Sequence, residues 1–235
     1  MNQSQWNDFE TALLRLKKDE PLEHILGEVK FFGRTFQVNS SVHVPRPETQ
    51  TMVKWVLQDF KVSSKSKTLS LLDIGTGAGV LPITLANEMP KISVTAIDIS
   101  EEALEIARKN AYALKASVEF IKKDLFKLQK LPNKFNIIVS HPSYILKHSQ
   151  KDVQRNYLSH EPPLALYVED DDPMIFNRKI AELAQKSLKE NGAVYVEINQ
   201  YLKNETEKVF QSFGFKTEFK KDIYGNPRTL IAFKK

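Results

Sequence analysis

Cysteine is absent from the 235 residues of this chain. Disulfide bonds, thiolate catalysis and cysteine-ligated zinc are therefore excluded, and a reducing cytoplasm is the compartment we expect. Long hydrophobic runs are missing as well, because charged residues interrupt every window longer than a strand. The sequence accordingly predicts neither a signal peptide nor a membrane-spanning segment.

The composition is that of a chain that can bury one sizeable core, with 41% hydrophobic and 27% charged residues. The net charge of +5 is modest. It favours the approach of a nucleic acid or a ribosome-associated partner, or it reflects an ordinary solvated surface, and both interpretations stay open. A mild excess of basic residues lies near the end, at Lys216, Lys220, Lys221, Arg228, Lys234 and Lys235.

The first sixty residues predict a short helix, a β-hairpin and a second helix, over residues 4–18, 27–39 and up to about residue 60. Gly33 is the expected hairpin turn, and the second helix follows the turn at Pro45 and Pro47. The polar stretch "KVSSKSK" (61–67) is the best candidate boundary. We therefore expect a small N-terminal region over 1–60 and a larger domain over 61–235.

Strands alternate with helices after this boundary, which predicts an α/β fold with a doubly wound, mostly parallel sheet and an antiparallel edge. Asp172-Pro173 is the expected start of the third of these helices and Asn191-Gly192 its stop. The predicted strands are Leu69–Asp73, Ile92–Asp98, Val118–Ile121, Phe135–Ser140 and Ala193–Ile198, with an antiparallel pair at Phe215–Phe219 and Thr229–Phe233. The predicted helices are Val80–Met89, Glu101–Leu114, Pro173–Lys189 and Leu202–Phe213.

Glycine is scarce, and its placement is informative. Three of the eight glycines, Gly75, Gly77 and Gly79, fall within five residues, after a predicted strand and before a predicted helix. Glycine there permits a tight turn and a close approach of the backbone to a ligand, beside the partial positive charge of helix N–H groups. A glycine-rich turn alone is weak evidence for a nucleotide site.

Acidic residues at the ends of the next two strands strengthen the evidence for a nucleotide site. Asp98 ends the second strand, where a carboxylate can accept hydrogen bonds from both ribose hydroxyls. Asp124 follows the third strand, and Leu125 would form an apolar wall for an adenine. The alternatives are that Asp98 caps the next helix, for which Ser100 is the better cap, and that Asp124 only begins a turn.

The glycine loop resembles the motif of class I methyltransferases that use S-adenosylmethionine. A strand acid, Asp73, precedes G-x-G-x-G, and the loop lacks the Lys-Ser/Thr pair of a P-loop. The resemblance implies that the loop accommodates the methionine part of this cofactor and that Asp73, Ile99 and His141 also belong to the cofactor site. The loop residues concerned are Gly75, Thr76, Gly77, Ala78 and Gly79.

The fourth strand ends in "HPSY", His141 to Tyr144, where many amino-methyltransferases have Asn/Asp/Ser-Pro-Pro-Tyr/Phe. An amide or aromatic amine is a poor nucleophile because its lone pair is delocalised. Hydrogen-bond acceptors on the NH₂ protons and an aromatic wall can localise that lone pair towards the methyl group. We therefore expect a substrate loop in which His141, Pro142 and Tyr144 are catalytic and Ser143 also contacts the substrate.

The whole chain from about residue 20 resembles the HemK-like release-factor glutamine methyltransferase family. The segments that carry the resemblance are "PLEHILGEVKFFGRTFQVNSSVHVPRPETQ", the glycine loop, "HEPPLAL" and "GAVYVEINQ". It implies methylation of the glutamine amide in the Gly-Gly-Gln motif of peptide-chain release factors, with S-adenosylmethionine and no metal. His141 and the Pro142 carbonyl would accept the amide protons and Tyr144 would pack on the amide. We also expect Arg46 and Glu48 at the substrate site, where they brace the turn beside it rather than do chemistry.

Three features depart from the family pattern. The family's Asn-Pro-Pro-Tyr is His-Pro-Ser-Tyr here, and only a neutral histidine offers an acceptor, which requires a pH above its pKa of about 6.5 if unperturbed. The family's N-terminal helical bundle is reduced to about twenty residues. "YVEDDDP" (167–173) replaces a glycine-rich stretch, and its acidic run is interpreted as a capped, solvated turn.

Two alternative functions stay open. One is methylation of an amine of a nucleic-acid base, for which the same loop type serves and the positive charge helps. The other is a cofactor-binding protein that has lost catalysis and binds a partner, which the altered loop and short N-terminus suggest.

Overall fold

Helices and strands alternate along most of the chain. The computed structural model describes residues 2–61, 63, 67–89, 91–131, 133–143, 145–146, 160, 162, 167–168 and 171–234. The strands are β1 (Glu28–Phe31), β2 (Arg34–Gln37), β3 (Leu69–Ile74), β4 (Ile92–Asp98), β5 (Glu119–Lys122), β6 (Phe135–Ser140), β7 (Ile145–Leu146), β8 (Tyr167–Val168), β9 (Leu188–Glu197), β10 (Phe215–Lys221) and β11 (Pro227–Lys234). The helices are α1 (Gln3–Leu16), α2 (Leu22–Leu26), α3 (Thr49–Phe60), α4 (Val80–Glu88), α5 (Glu101–Ala113), α6 (Ile175–Ser187) and α7 (Lys203–Ser212).

A seven-stranded sheet lies at the centre, in the order β5-β4-β3-β6-β9-β11-β10. The strands from β5 to β9 pair in parallel, whereas β11 is antiparallel to both of its neighbours. This arrangement confirms the predicted doubly wound sheet with an antiparallel edge. The strand order reverses at β3, which lies between β4 and β6, and open α/β sheets bind ligands at such a switch point, beyond the carboxyl ends of the strands.

Both faces of the sheet are covered, and the buried residues of its central strands alternate between two apolar clusters. Leu71 and Ile137 pack on one face with the hairpin, α3, α4 and α5, whereas Leu72 and Ile138 pack on the other with α6 and α7. Because successive side chains of a strand point to opposite faces, a strand buried on both sides is apolar throughout. These strands were therefore predictable from their uninterrupted apolar runs.

The N-terminal region has the three elements that the sequence predicts. The hairpin turn at Phe32 and Gly33 has positive φ at both residues, 49° and 74°, which matches the twist of a two-residue hairpin. Buried Asn110 on α5 holds the hairpin: its Oδ1 accepts the Gln37 N–H at 2.7 Å, and its Nδ2 donates to the Gln37 carbonyl at 3.0 Å and to the Ala78 carbonyl at 2.9 Å. The hairpin is thereby tied to the glycine loop. The proposed boundary at 61–67 stays a prediction.

The segment between α6 and β9 differs from expectation. The helix predicted over Pro173–Lys189 begins at Ile175 and ends at Ser187, and β9 begins at Leu188 instead of Ala193. Asn191-Gly192 is not a helix stop: it lies within β9, where the register against β6 shifts. A Cβ on Gly192 would lie 2.8 Å from the Asn136 carbonyl oxygen, so the strand irregularity needs a glycine for a close backbone approach.

The predicted cap of α6 is wrong in detail. Met174 occupies the N-cap position without a side-chain hydrogen bond. The Asp172 carboxylate instead accepts two hydrogen bonds from Arg178, at 2.7 and 3.1 Å.

Within the described ranges, no helix is long and apolar enough to cross a membrane.

Candidate functional site

A cavity of about 240 Å³ opens at the carboxyl ends of β3, β4, β5 and β6, where the sheet order reverses. Most of the predicted site residues line it: Asp73, Gly75, Thr76, Gly77, Ala78, Asp98, Ile99, Asp124, Leu125, His141, Pro142 and Ser143. Gly79, Arg46 and Glu48 are not among its lining residues. The prediction for Tyr144 lies outside the described residues.

The glycine loop is held by the neighbouring strand end. The N–H groups of Gly75 and Thr76 both donate to the Ile97 carbonyl, at 2.9 and 3.1 Å. Gly79 serves packing instead of the cavity, because a Cβ at its φ of +79° would lie 2.8 Å from Ile83 Cδ1 and 3.1 Å from Ala107 Cβ. The third glycine therefore allows α4 to pack closely against α5, as glycines at this place in nucleotide-binding turns do.

Asp98 organises the loop and presents a carboxylate to the cavity. Its Oδ2 accepts the Gly77 N–H at 2.8 Å and its Oδ1 accepts the Ser100 N–H at 3.0 Å. Ser100, as predicted, caps α5 by accepting the Ala103 N–H at 3.1 Å. Each carboxylate oxygen has further acceptor capacity, so Asp98 can also receive hydrogen bonds from a ligand diol.

Asp73 carries the most perturbed carboxyl group lining the cavity. Its side chain is buried, and neither oxygen has a hydrogen-bond partner among the described residues. Burial, reinforced by the nearby Asp98 carboxylate, raises the pKa of Asp73 to about 7. The Thr76 hydroxyl opposes this pKa shift, although it makes no hydrogen bond of normal geometry. A buried carboxyl group without partners is costly, and its position fits a cationic ligand group.

The third strand end supplies an apolar wall. Asp124 begins a short 3-10 turn, and its Oδ1 accepts the Phe126 N–H at 3.0 Å, so the alternative that it starts a turn describes its local bonding. Beside Leu125, the rings of Phe126 and Phe176 line the cavity with their centroids 5.1 Å apart. Phe176 on α6 was missed, because an apolar helix residue is interpreted as core by default.

The loop that begins with His141, Pro142 and Ser143, the His141 loop, is positioned by the neighbouring strands of the sheet. Ser140 donates from its Oγ to the Ile74 carbonyl at 2.8 Å, which joins the ends of β6 and β3. Ser140 pairs with Val196 in the parallel register, so His141 follows beside Glu197. His141 Nε2 lies 3.3 Å from Glu197 Oε1.

Two residues from before and at the start of α3 complete this cluster. Thr49, the first residue of α3, donates from its Oγ1 to Glu197 Oε2 at 2.8 Å. The His43 ring meets the His141 ring edge-on, with centroids 5.3 Å apart. Glu197, Thr49 and His43 were not predicted as site residues, although a glutamate that ends the apolar run "AVYVE" was an available indication.

Burial lowers the pKa of His141 to about 4, and the positive field of His43, Arg46 and Arg228 adds to this shift while Glu197 opposes it. The sequence alone suggests a pKa of about 6.5 only for an unperturbed imidazole, and burial perturbs this one. The physical reason is desolvation, which disfavours the charged imidazolium. His141 is neutral at pH 7 and retains the single ring acceptor that an amide donor needs.

Arg46 and Glu48 lie in the turn that leads into α3. The Arg46 carbonyl accepts the Thr49 N–H at 3.2 Å, and Glu48 occupies the N-cap position without a side-chain cap bond. Their placement is compatible with the bracing role that we expect, because Thr49 lines the cavity. Within the part of the chain that the structure describes, no group of three or more His, Asp or Glu residues is arranged to hold a metal ion.

Comparisons with known proteins find a matching family model, similar sequences and a similar fold. A family model described as "Methyltransferase domain" matches residues 65–231. A release factor glutamine methyltransferase of Flavobacterium psychrophilum is 46% identical, over 94% of this chain and 78% of the relative. One of Bacteroides thetaiotaomicron is 40% identical, over 96% of this chain and 80% of the relative. The fold resembles that of a methyltransferase from Pyrococcus furiosus, with a TM-score of 0.63, 20% identity and coverage of 97% and 98% of the two chains.

Proposed function

This chain belongs to the release factor glutamine methyltransferase family, and from that premise we propose that it methylates the glutamine side-chain amide in the Gly-Gly-Gln motif of a peptide-chain release factor, with S-adenosylmethionine as methyl donor. The observation that carries the proposal is the single cavity wall shared by the glycine loop, Asp73, Asp98 and the His141 loop. A ligand held by the glycine loop, Asp73 and Asp98 therefore lies beside the His141 loop.

The residues of the cavity fit the three parts of the cofactor. The Asp73 carboxyl group, which has no hydrogen-bond partner among the described residues, suits the ammonium of its methionine end, next to Gly75, Thr76, Gly77 and Ala78 of the glycine loop. The Asp98 carboxylate suits the ribose diol, with Ile99 beside it. Leu125 and the two phenylalanine rings form an apolar wall for the adenine, bordered by Asp124. When bound, the cofactor supplies a methyl group activated by its sulfonium.

The His141 loop orients the acceptor amide in this proposal. Neutral His141 accepts one amide N–H and the Pro142 carbonyl accepts the other, which withdraws the nitrogen lone pair from the amide system and directs it at the methyl group. Ser143 contacts the substrate, and Tyr144 supplies the aromatic wall. Arg46 and Glu48 keep the turn that carries Thr49 in place. No metal is required for this chemistry, because the enzyme aligns the nucleophile and the methyl donor.

The proposed substrate also sets the compartment and partners. Release factors act with the ribosome, so we place this protein in the cytoplasm, with a release factor as its protein partner. The net charge of +5 favours encounter with a ribosome-associated, acidic environment. That same charge and the type of the substrate loop also suit the alternative substrate, an amine of a nucleic-acid base.

The deciding experiment offers methyl-labelled cofactor to the purified chain with a release factor, with DNA and with RNA in parallel. We expect label on the release factor alone. Transfer to DNA or RNA would establish the nucleic-acid alternative. Tight binding of the cofactor without transfer to any of the three would establish the binding protein that has lost catalysis.

A further inference from the structure

Glu197 is a buried carboxyl group that the cofactor does not require. It is 2% exposed, it ends β9 next to the His141 loop, and it contacts two polar side chains with its two oxygens. The Thr49 hydroxyl donates to Oε2 at 2.8 Å and fixes the carboxyl plane. Oε1 is thereby directed to within 3.3 Å of His141 Nε2.

We propose that Glu197 is a positioning residue for methyl transfer, which holds His141 in the tautomer that carries its proton on Nε2 and its acceptor lone pair on Nδ1. The proposal rests on the proposed function, since it assigns the nitrogen that accepts the substrate N–H. A neutral imidazole has one donor and one acceptor nitrogen, and the hydrogen bond made by one nitrogen decides the role of the other. A carboxylate behind a histidine is a recurrent way to fix this choice.

The neighbouring basic groups act on the charge of His141. Among the described residues, His43 and Arg46, from the segment before α3, and Arg228, from β11, disfavour the charged imidazolium, whereas Glu197 favours it. Three cationic or potentially cationic groups therefore help burial to keep the ring neutral. Glu197 acts on that neutral ring, because an Nε2 lone pair facing Oε1 would place two acceptors against each other.

Glu197→Gln tests this role, because the geometry predicts which way the new amide turns. If the Thr49 hydroxyl keeps donating to the oxygen of the new side chain, as it donates to Oε2 now, the amide NH₂ faces His141 Nε2. Nε2 must then become the acceptor and Nδ1 the donor, which presents a proton to the substrate where a lone pair is needed. The matched control is Glu190→Gln, an exposed carboxyl group at the other end of the same strand.

The first measurement is the tautomer of His141, from long-range ¹H–¹⁵N NMR of the folded protein at pH 7. We expect Nε2–H in the unaltered protein and in Glu190→Gln, and Nδ1–H in Glu197→Gln. Nδ1–H in the unaltered protein overturns the proposal. This result needs no activity and no variant, so it can overturn the proposal even if Glu197→Gln fails to fold or the release factor is not the substrate.

The second measurement is a double-variant cycle of kcat with the release factor. Glu197→Gln should lower kcat by about 100-fold, the lower end of what positioned acid–base groups contribute. In the His141→Asn background the same change should cost less than about threefold, because an asparagine has no tautomer to fix. Equal losses in both backgrounds mean that Glu197 is merely structural, which overturns the proposal without affecting the proposed function. Inactivity of the unaltered protein refutes the proposed function. The role of Glu197 is then tested by the tautomer measurement alone.

Discussion

The ionised form of Asp73 should destabilise the free protein and strengthen the binding of its cofactor. Burial and Asp98 raise the pKa of Asp73 to about 7 in the folded chain, whereas in the unfolded chain it titrates near 4. The folded state therefore binds the extra proton between these values. The free energy of unfolding is therefore higher at low pH, where Asp73 is protonated in both states. It falls as the pH rises from about 4 to 7.

The magnitude follows from this pKa difference. Ionising Asp73 in the folded protein at pH 8 costs at most about 4 kcal/mol. Asp73→Asn removes that cost but buries a new amide, so we expect the free energy of unfolding at pH 8 to rise by about 1–3 kcal/mol. Urea unfolding of the free protein from pH 5 to 8.5 measures it, with the exposed Asp8→Asn as control. A loss of stability at pH 8 in Asp73→Asn would refute this account of the buried carboxyl group.

Binding of the cofactor should show the reverse effect. If Asp73 pairs with the ligand ammonium, binding releases about 0.9 proton at pH 6 and about 0.5 at pH 7, and affinity weakens about fivefold between pH 7 and 6. Asp73→Asn should abolish the proton release and weaken binding by about 100-fold or more, because one partner of a buried pair is lost.

Calorimetry with S-adenosylhomocysteine in buffers of different ionisation enthalpy measures the proton release directly. This ligand has the same amino-acid end and does not react. The range extends no higher than pH 7, where the α-amino group is still mostly charged. Binding that is independent of pH, or unchanged affinity in Asp73→Asn, would place the ammonium elsewhere.

Four further outcomes are expected. His141→Asn should keep kcat within about tenfold of the unaltered protein, since both side chains offer a neutral acceptor; a larger loss in a methyl-transfer assay would show that histidine is specifically required. At saturating cofactor, kcat should stay flat from pH 8 to 5.5 and fall only towards pH 4, because burial lowers the pKa of His141 to about 4; a midpoint near 6.5 would contradict this. Asp98→Asn should weaken binding of the cofactor by about 10- to 100-fold, because an acceptor of the Gly77 N–H and of the ligand diol loses its charge; calorimetry tests it. Gly77→Ala should lower the free energy of unfolding by about 1–2 kcal/mol through backbone strain alone, and Gly79→Ala by more, because its Cβ also meets Ile83; equal losses in urea unfolding would exclude the packing role of Gly79.

Local chemistry made much of this fold predictable. The apolar strands, the glycine loop with its three positive φ values and the Ser100 cap depend on neighbouring residues, and each lies where its local pattern indicates. Asn191-Gly192 shows the limit of such patterns. The same dipeptide suits a helix stop or a strand irregularity, and the packing against Asn136 on another strand decides between them.

The site was predictable in its cofactor half and less so around His141. Asp73 and Asp98 stand at strand ends that the motif itself locates. The contact between His141 and Glu197 depends on the register of β6 against β9, and the lowered pKa of His141 depends on burial by several elements. Both are tertiary properties, so a histidine in place of asparagine looked more disruptive in the sequence than it does beside Glu197.

The most direct test of the central claim is site-resolved mass spectrometry of a release factor after incubation with this protein and S-adenosylmethionine. The account predicts the mass of one added methyl group on the glutamine of the Gly-Gly-Gln peptide, and none when that glutamine is replaced by asparagine. An unmodified peptide, or a methyl group on another residue, would contradict it.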